Sequence, residues 1–199
     1  MYPSRYLNQV AHQDMSFRKP PGRSHRFYTG KALWRFGHGL SYTEWRYAWA
    51  GERDFYRTET AADEDDGAVV DTYTVAEMRR GITLSTMVYN VGDVDSARVV
   101  LFFARFSWAV SEKETDEALR AFSLEPPPLQ SLFAMHKVSV RAGASATVTF
   151  NSSDVAGTCA FCLVDRNGTS AVRAGRYELW AGLPSDPATS VVRVVRVVE

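Results

Sequence analysis

The stretch ITLSTMVYNVGDVDSARVVLFFARF, Ile82–Phe106, decides the fold. In its first half Ile82, Leu84, Thr86 and Val88 fall on alternate positions, which is the period of a strand with one buried face. Asn90-Val91-Gly92-Asp93 then supplies a chain reversal, since Asn, Gly and Asp are the residues that tolerate turn backbone. In the second half, Arg98 to Phe106, β-branched and aromatic residues continue on both parities. Such a strand is central and covered on both faces. Two strands joined by a tight turn, one of them doubly covered, place a layered β-structure at the centre of this chain.

Working outward, the same period recurs. Trp45, Tyr47 and Trp49 alternate with Arg46, Ala48 and Ala50, as in a half-buried strand. Val69 to Val75 reads as a weak strand. Leu132 to Val140 and Ala146 to Phe150 flank a turn at Arg141-Ala142-Gly143. Cys159 to Val164 precedes a turn at Asp165 to Gly168, and Arg176 to Ala181 and Val191 to Val198 follow. Glu112 to Phe122 has the composition of a short helix, stopped by Pro126-Pro127-Pro128. Seven to eight short strands with turns between them and almost no helix predict an all-β fold, an immunoglobulin-like antiparallel sandwich over 44–199. Were the terminal VVRVVRVVE a sheet edge, Arg193, Arg196 and Glu199 would guard it.

Residues 1–43 differ. They are rich in Arg, Gly and aromatics and carry no sustained period. Pro20-Pro21-Gly22, Tyr28-Thr29-Gly30 and Phe36-Gly37-His38-Gly39 are turn signals. This part reads as an extended, looped N-terminal arm. Charge is also uneven. Residues 1–50 hold eight Lys/Arg against Asp14 and Glu44, whereas 51–66 hold seven acids against Arg53 and Arg57 and read as a solvated loop.

Composition narrows function. The formal net charge of zero argues against nucleic acid, which calls for a strongly basic surface. No apolar run approaches the ~20 residues that span a bilayer, so no membrane partner is expected. The N-terminus is polar and aromatic, without a signal-peptide apolar core. The two cysteines, Cys159 and Cys162, are too few for a disulfide scaffold. Their apolar, strand-like surroundings suggest buried thiols. His12, His25, His38 and His136 lie at no metal-ligand spacing, so neither a metal nor a cofactor is expected. Asn151-Ser152-Ser153 and Asn167-Gly168-Thr169 have the form of glycosylation acceptors, Asn151 and Asn167. Trp34, Trp45, Trp49, Trp108 and Trp180 could stack on sugar rings, although strand tryptophans are more often core.

The arm carries a resemblance. Tyr2-Pro3, Tyr6, Gln9-Val10, Asp14-Met15 and Arg18 form one block, Pro21-Gly22-Arg23 with Arg26-Phe27-Tyr28-Thr29-Gly30 a second, and Phe36-Gly37-His38-Gly39-Leu40-Ser41-Tyr42-Thr43 a third. In this order and spacing they resemble a segment of the β-xylosidases of glycoside hydrolase family 3. The rest of the chain is similar, more loosely, to that family's C-terminal fibronectin type III-like domain, through Val88, Asn90 and Gly92, Val99 to Arg105, Pro127-Pro128, and Cys159, Asp165, Gly168, Gly175, Leu179 and Gly182. His25 stands where the family has Tyr, Trp34-Arg35 replaces an apolar-Pro pair, and the 107–125 insertion is longer and more acidic.

The resemblance implies that residues 1–43 are the tail and linker of the family's α/β sandwich domain and 44–199 its fibronectin type III-like domain. The catalytic Asp and Glu belong to a (β/α)8 barrel and the α/β domain, and no residue here matches either motif. The chain alone is therefore expected to be inactive, an accessory to those two domains, with Arg23, Arg26, Phe27, Tyr28, Phe36, Gly37, Gly39 and Tyr42 as the arm interface. Carbohydrate is a further candidate partner. A stand-alone carbohydrate-binding or protein-interaction module is the alternative. The family implies a secreted, vacuolar or lysosomal setting.

Overall fold

The computed structural model describes residues 2–50, 71–107, 127–154, 159–184, 186 and 189–199. The acidic loop 51–66, the helix expected at Glu112 to Phe122, and Trp108 lie outside the described residues. Strands are β1 (Trp45–Trp49), β2 (Asp71–Thr74), β3 (Thr83–Asn90), β4 (Ser96–Ser107), β5 (Ser131–Val140), β6 (Ser145–Asn151), β7 (Leu163–Val164), β8 (Ser170–Ala171), β9 (Gly175–Gly182) and β10 (Ser190–Val198). Short helices are α1 (Ser24–Phe27) and α2 (Val75–Arg80), with 3-10 turns at Ser4–Asn8 and Ser152–Asp154. No helix among the described residues is long and apolar enough to cross a membrane.

A three-stranded sheet, β1-β3-β6, faces a five-stranded sheet, β2-β10-β9-β4-β5, with β7-β8 a small separate ladder. One core joins the two. Trp45, Tyr47, Trp49, Leu84, Val88 and Val148 on the first sheet meet Val100, Phe102, Val140, Tyr177, Leu179 and Val195 on the second. Each fully buried large apolar side chain contributes roughly 1.5–3 kcal/mol. The alternation in β3 is the expected one, with Leu84, Thr86, Val88 and Asn90 inside. Trp45 and Trp49 are core residues.

The Asn90 turn is held by its own side chain. The Asn90 amide donates to the carbonyls of Val94 (2.8 Å) and Val140 (3.1 Å), and its oxygen accepts from the Gly92 N–H (3.3 Å) and the Thr43 hydroxyl. One buried amide thus ties the arm exit, the β3–β4 hairpin and the end of β5. At the start of β9 the Tyr177 hydroxyl donates to the Arg173 carbonyl at 2.9 Å. A tyrosine hydroxyl bonded back to the backbone four residues upstream is a bond of the tyrosine-corner type.

Several expectations need correcting. β2 pairs parallel with β10, so the sheet is mixed; the two strands are far apart in sequence and no hairpin dictates their direction. Val75 starts helix α2 instead of ending a strand. Thr74 and Glu77 form a capping box, the Thr74 hydroxyl accepting from the Glu77 N–H (3.2 Å) and the Glu77 carboxylate from the Thr74 N–H (2.7 Å). β10 lies between β2 and β9, not at an edge. Arg193 sits 5.5 Å from the Trp49 ring centroid and 3.5 Å from the Asp71 carboxylate. Cys159 and Cys162 are joined in a disulfide rather than left as thiols. The Cys162 N–H donates to the Cys159 carbonyl (3.3 Å), so the chain turns there, and the strand shrinks to Leu163–Val164.

The second face of β4 is covered by the arm. Phe102 points into the core, packing near Phe133 and Phe150, while Phe103 on the opposite face meets Phe36 and His25. Both phenylalanines are fully buried.

Candidate functional site

The arm is folded by its aromatics. Tyr2 stacks on Tyr6 with centroids 4.0 Å apart, and Tyr28 meets both edge-on. The Tyr6 hydroxyl donates to the Gly22 carbonyl (3.0 Å), and the Ser24 N–H donates to the Tyr2 hydroxyl. Gly22 has φ +80°, and a Cβ there would strike the Phe27 carbonyl, so this turn requires glycine. α1 follows directly. The Leu129 N–H donates to the Arg26 carbonyl (2.7 Å), fastening the arm to the lead-in of β5. Further on, Gly37 (φ +82°) lies flush on Leu101 and Leu183.

Between this folded arm and the five-stranded sheet lies a cavity of about 590 Å3. Arm residues supply most of its wall: Tyr2, His25, Tyr28, Lys31, Trp34, Arg35 and Phe36. β4 contributes Arg105, and Leu129, Gln130 and Pro184 also line it. His25 and Trp34-Arg35, where the chain departs from the family pattern, all lie on this wall.

His25 is stacked on Phe36, centroids 4.1 Å apart. Burial, assisted by the Arg26 charge, lowers its pKa below the usual histidine value, so the ring is neutral at neutral pH. Arg105 lies 5.0 Å over Trp180. Its guanidinium is 3.4 Å from the Gln130 oxygen and 3.9 Å from the Glu178 carboxylate, and its buried Nε has no hydrogen-bond partner among the described residues. Burial lowers the Arg105 pKa while Glu178 opposes this, and an arginine remains a cation at physiological pH. The wall thus combines aromatic faces with three cations. Among the described residues that line it, none is a carboxylate.

The residues singled out from sequence are dispersed. Tyr28 and Phe36 line the cavity. Arg23 donates to the Ala11 carbonyl (2.6 Å), and Phe27 lies under the guanidiniums of Arg18 (4.5 Å) and Arg26 (5.6 Å), all inside the arm. Gly39 has open space around it, and Tyr42 is 94% exposed. The Asn151 amide donates to Thr83 (3.2 Å) and its oxygen accepts from Ser153 (2.8 Å) at the end of β6, while Asn167 is exposed in the turn after β7. Sequence reasoning missed Arg105 and Gln130 as wall residues. A lone arginine closing the apolar run of β4 was the one available signal. No cluster of three or more metal-ligating side chains occurs among the described residues.

No family model matches the chain. Curated relatives do. A probable exo-1,4-beta-xylosidase of Aspergillus terreus is 28% identical over 199 residues, 97% of this chain and 22% of the relative. The similarity is to β-xylosidases of glycoside hydrolase family 3. The corresponding Aspergillus oryzae protein is 32% identical over 75% of this chain and 18% of its own length, and beta-D-xylosidase 1 of Arabidopsis thaliana is 25% identical over 91% and 23%. The chain spans about a fifth of the length of these curated β-xylosidases. Among solved structures, a family 3 exo-beta-xylosidase bound to a xylobiose aziridine probe superposes on the whole chain and on 23% of its own length, with TM-score 0.68 and 18% identity. A Listeria innocua beta-glucosidase in complex with gluconolactone gives TM-score 0.57 at 15% identity, over 100% of this chain and 20% of that one. The fold is therefore one that recurs as a part of larger glycosidases.

Proposed function

We propose that this chain is an accessory region of a β-xylosidase-type family 3 glycoside hydrolase. Residues 44–199 form its fibronectin type III-like domain, and the arm 1–43 seats that domain against the catalytic barrel and α/β sandwich. The similarity that runs through arm and sandwich together, over about a fifth of each relative, carries this reading. The strand order β1-β3-β6 against β10-β9-β4-β5 and the Tyr177 bond of tyrosine-corner type favour the fibronectin type III-like assignment. Leu40 (96% exposed) and Tyr42 (94% exposed), at the end of the arm, are what a docking segment leaves bare without its partner.

The accessory role includes inactivity on its own. Retaining glycoside hydrolysis needs two carboxyl groups roughly 5 Å apart on a rigid site. The cavity described above offers cations and aromatic rings. The purified chain should release no nitrophenol from p-nitrophenyl β-D-xyloside above the buffer rate. Sustained turnover by the pure chain would refute the accessory role.

A further inference from the structure

We propose that Asn167, in the turn between β7 and β8, carries an N-linked oligosaccharide, and that Asn151 does not, although its triplet has the same form. Asn151-Ser152-Ser153 and Asn167-Gly168-Thr169 are alike as sequence. The fold separates them. An N-linked glycan is bulky and hydrated, so the amide that bears it must open to water in the folded chain.

Asn167 meets that demand. It is exposed, as are Gly168, Thr169 and Ser170 beside it. The turn is held without the acceptor side chain. The Asp165 carboxylate accepts from the N–H groups of Asn167 (2.9 Å) and Thr169 (2.8 Å), and the Gly168 N–H donates to the Asp165 carbonyl (3.0 Å). Among the described residues, neither the Asn167 amide group nor the Thr169 hydroxyl is used in a hydrogen bond. Gly168 has φ +83°, and apart from its chain neighbours nothing lies within 4 Å of where a Cβ would stand, so the space over the turn is open.

Asn151 is the opposite case. Its amide nitrogen donates to the Thr83 hydroxyl (3.2 Å), and its oxygen accepts from the N–H (2.9 Å) and hydroxyl (2.8 Å) of Ser153. Ser152, the middle of the triplet, is buried and bonded twice to Ile82, its hydroxyl accepting from the Ile82 N–H (2.9 Å) and its N–H donating to the Ile82 carbonyl (3.0 Å). A Cβ at Gly81 would come within 2.9 Å of the Asn151 oxygen. A sugar on this nitrogen would compete with the Thr83 bond in a place already packed against Gly81.

In the transfer, Asn167 Nδ2 attacks the anomeric carbon of an oligosaccharide held on a lipid diphosphate. The N–C bond forms, the C–O bond to the diphosphate breaks, one amide proton is lost, and the lipid diphosphate leaves with the bonding pair. Such donors belong to the secretory pathway, so occupancy in the natural setting rests on the secreted or vacuolar location that the family resemblance implies.

The test supplies that setting. The full 199-residue chain, behind a cleavable secretion leader, is expressed in yeast. The secreted protein is treated with peptide-N-glycosidase, which converts each glycan-bearing asparagine to aspartate. Peptide mass spectrometry is expected to find conversion at Asn167 in most molecules and none at Asn151. Thr169→Ala removes the triplet while keeping both Asp165 bonds, and should abolish the glycan. Asn151→Gln should leave the glycan in place. Unconverted Asn167 in the secreted chain, or conversion at Asn151 as frequent as at Asn167, would overturn the proposal. Should the chain be retained in the cell, translation with microsomes decides: Thr169→Ala must remove the mass of one glycan, and an unchanged product overturns the proposal. None of these results bears on the accessory role, which the xyloside assay tests separately.

Discussion

Tyr177 shows what one polar atom does in this core. It is 1% exposed, and its ring packs on Phe106 and Phe161. The hydroxyl donates to the Arg173 carbonyl and accepts from the Arg173 N–H at 3.3 Å, pinning the chain where it enters β9. Tyr177→Phe keeps the ring and removes these bonds together with a longer one from the hydroxyl to the Phe161 carbonyl (3.4 Å), and should cost about 1–3 kcal/mol. Urea unfolding should show a lower midpoint at unchanged slope. Burial pushes the phenol pKa from 10.0 up to about 12. The folded chain therefore holds this proton at pH values where the unfolded chain has released it. The contribution is complete below pH 10 and is lost as pH rises from about 10 to about 12, by up to roughly 2–3 kcal/mol. The phenylalanine variant should lose stability less steeply over that window than the natural chain.

At the scale of elements, α2 is a six-residue helix held at its N-terminus by side chains. So short a helix is unstable alone. It persists because Met78 is buried at 2% in the sandwich core and because Thr74 and Glu77 satisfy one another's backbone donors. The Thr74 backbone N–H and the Thr74 hydroxyl both donate to the Glu77 carboxylate, at 2.7 and 2.9 Å, and these bonds lower its pKa. The support they give is present above the ordinary glutamate pKa and is lost as pH falls through the lowered value. Thr74→Ala should destabilise α2 by about 1 kcal/mol. Amide exchange at Glu77 should then quicken about fivefold, with β4 and β9 amides unaffected. Its capping pattern was visible in the sequence as Thr74-x-x-Glu77, at the point where strand β2 ends and the helix begins. The CAFC segment is the converse case. Its residues have strand composition, and the disulfide turn between Cys159 and Cys162 overrides it.

At the scale of the molecule, the arm divides into a folded part and a bare part. Residues around Tyr28 and Phe36 close over β4, burying Phe103 completely. Beyond Gly37 the chain crosses to β1 with Leu40 and Tyr42 almost fully in water. Exposed pairs of large apolar groups mark interaction sites and promote association. The chain should therefore self-associate reversibly, its sedimentation coefficient falling on dilution from tens of micromolar, and Leu40→Ser with Tyr42→Ser should remove that dependence. Sedimentation independent of concentration in the natural chain would show that this surface needs no cover.

Period alone determined the sandwich. Alternation in β1 and β3 places Trp45, Trp49, Leu84 and Val88 inside, because a strand turns every second side chain to the same face. The doubly apolar β4 announced a cover on its outer side. What that cover is, local pattern could not say. Phe36 and His25 are 67 and 78 residues from Phe103 in sequence, and only the closing of the arm brings them together. The same is true of the cavity: Lys31, Arg35 and Arg105 carry no shared motif, and their convergence depends on Gly37 lying against Leu101 and on the Arg26–Leu129 bond. The parallel partner of β10 was decided likewise, by a long-range pairing of β10 with β2 that local strand preference, on a scale of ~1 kcal/mol, does not specify. The disulfide turn is local, three residues wide, and a covalent bond outweighs strand preference there.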